Sequence, residues 1–147
     1  MRLGRRTAAF TLIELITVII IIGIMLGVAL PKYMQMAEKT KASNAKQVMD
    51  ILRKAEEAYY AENTTYDDYD STDTTTTSGG IIDEIPHAKI QTDDDWSYKV
   101  DAKTTSFNIE AKRKTARAHA GETITIDQDG NYERSSGAPA EWGGTVK

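Results

Sequence analysis

Residues 10–32 read Phe10-Thr11-Leu12-Ile13-Glu14-Leu15-Ile16-Thr17-Val18-Ile19-Ile20-Ile21-Ile22-Gly23-Ile24-Met25-Leu26-Gly27-Val28-Ala29-Leu30-Pro31-Lys32, an aliphatic run broken by a single acid. From Leu15 to Pro31 no residue is charged. That length, about 17 residues, is the lower limit for crossing a bilayer as a helix, and adding Phe10–Ile13 brings the apolar stretch to about 20. The residues before it include Arg2, Arg5 and Arg6 and no acid. Arginines on that flank put the N-terminus on the cytoplasmic side and the rest of the chain across the membrane. Glu14 stands out. A carboxylate costs roughly 2–3 kcal/mol at the centre of the hydrocarbon and less near the headgroups. The residue therefore either sits at headgroup level or needs a partner.

Beyond Lys32 the pattern turns amphipathic without a break. Ala45, Val48, Leu52, Ala55 and Tyr59 recur at spacings of three and four, with Met49 and Ile51 beside them. Lys, Glu, Gln and Asp fill the remaining positions, and Ala, Lys, Glu and Met all favour helix. The spacing predicts one helix over residues 10–63, roughly 80 Å long at the usual helical rise. Pro31 is expected to bend it rather than end it, since strong helical sequence resumes at once. Its first half, residues 10–31, is apolar all round, and its second half, residues 32–63, on one face only. That asymmetry predicts a membrane or buried stem with a head packed on its far end.

Residues 64–95 begin with Thr64-Thr65-Tyr66-Asp67-Asp68-Tyr69-Asp70-Ser71-Thr72-Asp73 and read as an exposed Thr- and Asp-rich loop. Strand candidates fill residues 96–134. Trp96–Val100 and Phe107–Ala111 alternate apolar and polar residues, Glu122–Asp127 alternates around Ile124 and Ile126, and Gln128–Asn131 is a turn before Tyr132. Three or four strands, each with one apolar face, predict a small antiparallel sheet covered by the helical stripe. Residues 135–147, rich in Gly, Ala and Pro, are expected to form a flexible tail. The predicted class is α+β.

Composition narrows the function. The chain has 147 residues, 18 Lys+Arg against 22 Asp+Glu, and no cysteine. There is thus no disulfide framework, thiol nucleophile or Cys-bound metal. His87 and His119 lie far apart, and no triad, phosphate loop or carboxylate pair of defined spacing is present. No cofactor or metal is expected, and a net charge of −4 weighs against nucleic acid as a partner. The reading is of a non-enzymatic chain.

The basic leader, then Phe10-Thr11-Leu12-Ile13-Glu14-Leu15, then the long aliphatic run resembles the prepilin family, the type IV pilins and the pseudopilins of type II secretion. Gly23 and Pro31 fall where this family commonly has a glycine and a helix-bending proline. The likeness is specific over residues 5–33, looser to Tyr66 and architectural beyond. It implies a pilin-like fold and a leader, residues 1–9, cut by a membrane prepilin peptidase between Ala9 and Phe10, with N-methylation of Phe10. Glycine usually precedes the cut in this family, and Ala9 departs from that while keeping a small side chain. The resemblance further implies that the carboxylate of Glu14 pairs with the Phe10 amine of a neighbouring subunit, setting axial register. Gly23, Gly27 and Pro31 bracket the stretch where any local unwinding within a filament is expected. Implied partners are identical subunits in a helical filament, the peptidase, and an inner-membrane assembly platform. The precursor would be a single-pass inner-membrane protein, and the product a surface pilus or a periplasmic pseudopilus.

Other signals have plainer readings. Asp127-x-Asp129-Gly130-Asn131 opens like a calcium loop, yet Ala138 stands where the closing carboxylate belongs, and a hairpin turn accounts for the same residues. Asp67, Asp68, Asp70 and Asp73, and Asp93–Asp95, read as solvated acidic loops, and Lys112, Arg113, Lys114 and Arg117 as a solvated connection. Tyr59 reads as core, and Tyr60, Tyr66 and Tyr69 as the boundary of head and loop. The Thr-rich Thr74–Thr77 is a candidate for O-glycosylation, which composition alone does not establish. Two rivals to a pilin stay open. A pseudopilin has the same architecture, although the C-terminal calcium region common among major pseudopilins is not recognisable here. A secreted or anchored binding domain would use Gly27-Val28-Ala29 as a signal-peptidase site.

Overall fold

The computed structural model describes residues 10–73, 80, 81, 85, 86, 90–115 and 117–147. Its first element is a single helix, α1, Leu12–Asn63, which runs through Pro31 without interruption. Six strands follow: β1 (Tyr69–Asp70), β2 (Trp96–Ala102), β3 (Phe107–Arg113), β4 (Thr123–Asp127), β5 (Tyr132–Arg134) and β6 (Thr145–Val146). The chain divides into two compact units after Ala37. The first holds the apolar part of α1, whose large side chains are exposed, from 43% at Ile16 to 76% at Leu12.

The second unit is the head. Its strands form one sheet in the order β1-β2-β3-β4-β5-β6. Every pairing is antiparallel except the last, where β6 runs parallel to β5. The expected three or four strands are thus corrected to six. Two of the strands, β1 and β6, are two-residue edge strands, too short to show the alternation by which a strand is read from sequence.

Register carries the apolar residues to one face. Tyr98 lies opposite Ala111, Val100 opposite Ile109, Ile109 opposite Ile126 and Ala111 opposite Ile124, and all are buried. Against this face α1 buries Ala42, Ala45, Met49, Leu52 and Ala55. Val48 and Tyr59, expected within that stripe, are only half-buried, whereas Met49, expected beside it, is fully buried. Each large apolar side chain removed from water in this way contributes on the order of 1.5–3 kcal/mol.

Two stretches expected to be exposed or loose belong to the core. Tyr69, Ile81, Ile85 and Ile90 are buried although they fall within residues 64–95. In the C-terminal segment, a 3-10 turn at Ala140–Trp142 places Trp142 edge-on against Trp96, with ring centres 4.8 Å apart. Arg134 donates to the Ala138 carbonyl at 2.8 Å, and β6 pairs with β5 beyond that turn. Residues 135–147 therefore complete the head.

Candidate functional site

The N-terminus of α1 is built by two side chains. The Thr11 hydroxyl accepts the Glu14 N–H at 3.3 Å, and one Glu14 carboxylate oxygen accepts the Thr11 N–H at 3.0 Å and the Thr11 hydroxyl at 2.8 Å. This reciprocal capping box satisfies backbone donors that a helix start leaves open. Glu14 thus has a partner within its own chain. The pattern Thr11-x-x-Glu14 is a capping signature legible in sequence, and the family likeness drew attention to Glu14 alone. Ala9, the expected residue before the cut, lies outside the described residues.

Further along, the Thr17 hydroxyl donates to the Ile13 carbonyl at 2.8 Å, so this polar residue is satisfied inside an apolar run. A methyl group built on Gly23 or Gly27 would meet nothing within 4 Å. Neither glycine is required by the packing of a single chain, and both leave shallow places on the helix surface where another backbone can approach. From Leu12 the helix is long and apolar enough to cross a membrane. An exposed apolar surface of this extent marks a membrane or protein contact.

The head carries two charged clusters, which meet each other. Arg113 is buried, with its guanidinium 3.2 Å from the Glu38 carboxylate on α1 and 3.5 Å from Asp95. Its Nε donates to the Ala118 carbonyl, and it lies over the Trp96 ring. Lys41 and Arg117 also reach Asp95, at 3.7 and 3.4 Å, and Lys114 donates to the Asp93 carbonyl. Asp93 accepts the N–H groups of Asp95 and Trp96 and the Tyr98 hydroxyl. The basic connection and the acidic Asp93–Asp95 loop, which read as two solvated segments, are therefore the two halves of one ion-pair cluster.

The other acidic residues are used in the same way, as backbone acceptors. Asp67 accepts the Ile81 N–H at 3.2 Å, Asp68 the Ala102 N–H at 2.8 Å, and Asp70 the Thr72 N–H and hydroxyl. Asp127 accepts both the backbone and the side-chain N–H of Asn131, which hold its carboxyl below the usual carboxylate range. Gly130, at φ 86°, completes that hairpin. Among the described residues, no group of three or more His, Asp or Glu side chains is arranged to hold a metal ion.

Of the tyrosines, Tyr69 is core and Tyr59 half-buried. Tyr60 stacks on Tyr66 at 4.5 Å, and Tyr66 packs edge-on to Phe107.

The described residues thus comprise a capped, exposed helix of membrane-spanning length and a head in which helix packs on a mainly antiparallel sheet. Residues 4–30 match the family described as the prokaryotic N-terminal methylation motif. A 68-residue segment, 46% of this chain, is 35% identical to the type IV major pilin protein PilA of Myxococcus xanthus (strain DK1622). That segment spans 31% of the length of the curated relative it matches. No solved structure matches the chain. Through this motif and this segment the chain is similar to the type IV pilins.

Proposed function

We propose that this protein is the structural subunit of a type IV pilus, made as a single-pass inner-membrane precursor. Prepilin peptidase cuts it between Ala9 and Phe10 and the new Phe10 amine is methylated. An inner-membrane platform then assembles identical subunits through residues 10–31. Loss of Arg2, Arg5 and Arg6 takes the net charge from −4 to −7, so the assembled surface is acidic. The observation that carries the reading is the methylation motif at residues 4–30, which runs into a helix whose apolar side chains from Leu12 to Leu30 are exposed among the described residues. The relative described as a type IV major pilin favours a pilus over a pseudopilus.

In this reading Glu14 changes partner on assembly. In the single subunit Thr11 satisfies it, and in the filament the Phe10 amine of a neighbour does. Gly23, Gly27 and Pro31 mark where the packed helix can loosen.

The test is intact mass and N-terminal sequencing of the protein from its native cells, together with analysis of sheared surface filaments. A chain starting at N-methylated Phe10 and recovered in sheared filaments supports the proposal. The same start with retention in the envelope would indicate a pseudopilin. A start at Leu30, or an uncut Met1, would overturn the filament reading.

A further inference from the structure

Glu56 is the one acidic residue on the buried face of α1, and its side chain is fully out of solvent. One carboxylate oxygen accepts the Asp67 N–H at 3.0 Å, while Oε1 is buried with no hydrogen-bond partner among the described residues. The charged and titratable groups that face it come from the chain leaving the helix: the Asp67 and Asp68 carboxylates and the Tyr66 phenol. Among the described residues no cation lies within ion-pair distance of it. A carboxylate in such a place is held against its own desolvation and two like charges.

What Glu56 grips is a junction. Asp67, whose N–H it holds, accepts in turn the Ile81 N–H, and a methyl group on Gly80 would lie 1.7 Å from Asp67 Oδ2. Gly80 has φ +60° and no Cβ, and both features let the chain close onto Asp67. Asp68, the next residue, is tied to the Ala102 N–H at the end of β2. One buried carboxyl therefore connects the end of α1 to residue 67, through it to residues 80–81, and by way of its neighbour to the sheet.

We propose that Glu56 is a proton-operated latch: with its carboxyl protonated, residues 66–68 and 80–81 are clamped on the end of α1, and with it ionised the clamp is loosened. Ionisation sets three carboxylates against one another with no cation between them. The least costly relief is for the Asp67 junction to lift and admit water, because α1 and β2 are fixed by the core on either side. Burial, reinforced by Asp67 and Asp68 and opposed by the Asp67 N–H, pushes the Glu56 carboxyl up to about 7, within reach of ordinary changes in pH. This latch lies wholly in the head and does not depend on the filament reading.

The experiment is NMR on the full chain in detergent micelles, following the Glu56 carboxyl shift and the exchange of the Asp67 and Ile81 amides from about pH 5 to about pH 8. The expected result is a Glu56 midpoint well above that of the exposed glutamates. With it, the opening equilibrium at both amides, after correction for intrinsic exchange, rises by more than about tenfold across the range. Glu56→Gln, which keeps the acceptor without the charge, should remove that rise, and Asp68→Asn should move the Glu56 midpoint down. A Glu56 midpoint at the ordinary glutamate value would overturn the proposal. So would amides at Asp67 and Ile81 whose opening ignores the titration.

Discussion

The guanidinium of Arg113, at the end of β3, is buried beneath α1 and stands 3.2 Å from the carboxylate of Glu38. Glu38 is the first residue of the head unit, and Arg113 is inward-facing at the end of the strand that supplies Ile109 and Ala111 to the core. The pair thus fastens helix to sheet at the edge of the apolar core. Asp95 and the face of Trp96 complete the surroundings of the guanidinium. A buried charge pair adds little relative to apolar packing, but breaking one from a single side leaves an uncompensated charge.

Glu38→Ala should accordingly destabilise the head by about 1–3 kcal/mol, with Asp95 still available to the guanidinium. Arg113→Ala should cost more, since it also removes the stem packed on Trp96. Urea unfolding of the full chain in micelles, followed by the fluorescence of Trp96 and Trp142, gives both values. A Glu38→Ala midpoint equal to wild type would show that Asp95 alone suffices.

Trp142 has a larger role than its place near the C-terminus suggests. Trp142→Ala should lower stability by about 3–5 kcal/mol, the usual cost of emptying a large aromatic site. The same unfolding transition measures it, and a loose tail would leave the midpoint where it was.

At the other end of the chain, Thr11→Val removes the helix cap. The expected loss is about 1 kcal/mol of helix stability, confined to the first turn. Amide exchange at Ile13 and Glu14 in micelles should rise about fivefold, while exchange in β3 stays constant. Under the proposed function, Glu14→Ala should abolish sheared filaments and leave the cut at Phe10 intact, which mass analysis of the cell envelope checks.

The pH dependence has a definite sign. The folded-state Glu56 carboxyl is raised above its unfolded value, so the folded head binds the extra proton. Stability is therefore greatest below about pH 4.5, falls as pH rises through the window to about 7, and is flat beyond it as far as this group is concerned. Glu56→Gln should remove this part of the slope in a series of thermal melts. A head whose Tm difference between wild type and variant is the same at about pH 5 and about pH 8 would contradict the assignment.

At high pH the phenols should separate into two groups. Burial pushes Tyr69 up to about 12 and moves Tyr98 and Tyr132 upward as well, helped by Asp93 at Tyr98 and by Asp50 at Tyr132. These three should stay un-ionised past the range in which exposed tyrosines titrate, and the stability they contribute should be lost as pH climbs through their raised values. Ultraviolet titration of native against urea-unfolded chain would show these buried phenols delayed until the head unfolds.

Much of the architecture is legible along the chain because it is periodic. The aliphatic run from Leu15 to Leu30 needs no partner to be recognised, and the alternation in Trp96–Val100 and Phe107–Ala111 reports a sheet with one buried face. Tyr69, Ile81, Ile85 and Ile90 escape such reading since they fall in a stretch rich in Asp, Thr and Gly with no sustained period of 2 or 3.6. The ties beside Tyr69 and Ile81, from Glu56 to the Asp67 N–H and from Asp67 to the Ile81 N–H, have no sequence period. The edge strands Tyr69–Asp70 and Thr145–Val146 are defined by the neighbours they pair with rather than by their own residues.

By itself, then, the sequence determined a membrane-length apolar helix, an amphipathic continuation, a sheet beneath it and the motif at Phe10–Leu15, because hydrophobic period and local spacing are properties of neighbouring residues. Only the tertiary structure decided that Arg113 is buried against Glu38, that Asp93–Asp95 and the basic segment pair with each other, that Trp142 joins the core and that Glu56 is buried while holding the Asp67 N–H. Charge in a sequence reports what a side chain carries. Whether that charge meets water, an opposite charge or a backbone N–H is set by residues dozens of positions away, and the cost of burial is incurred only when the fold brings them together.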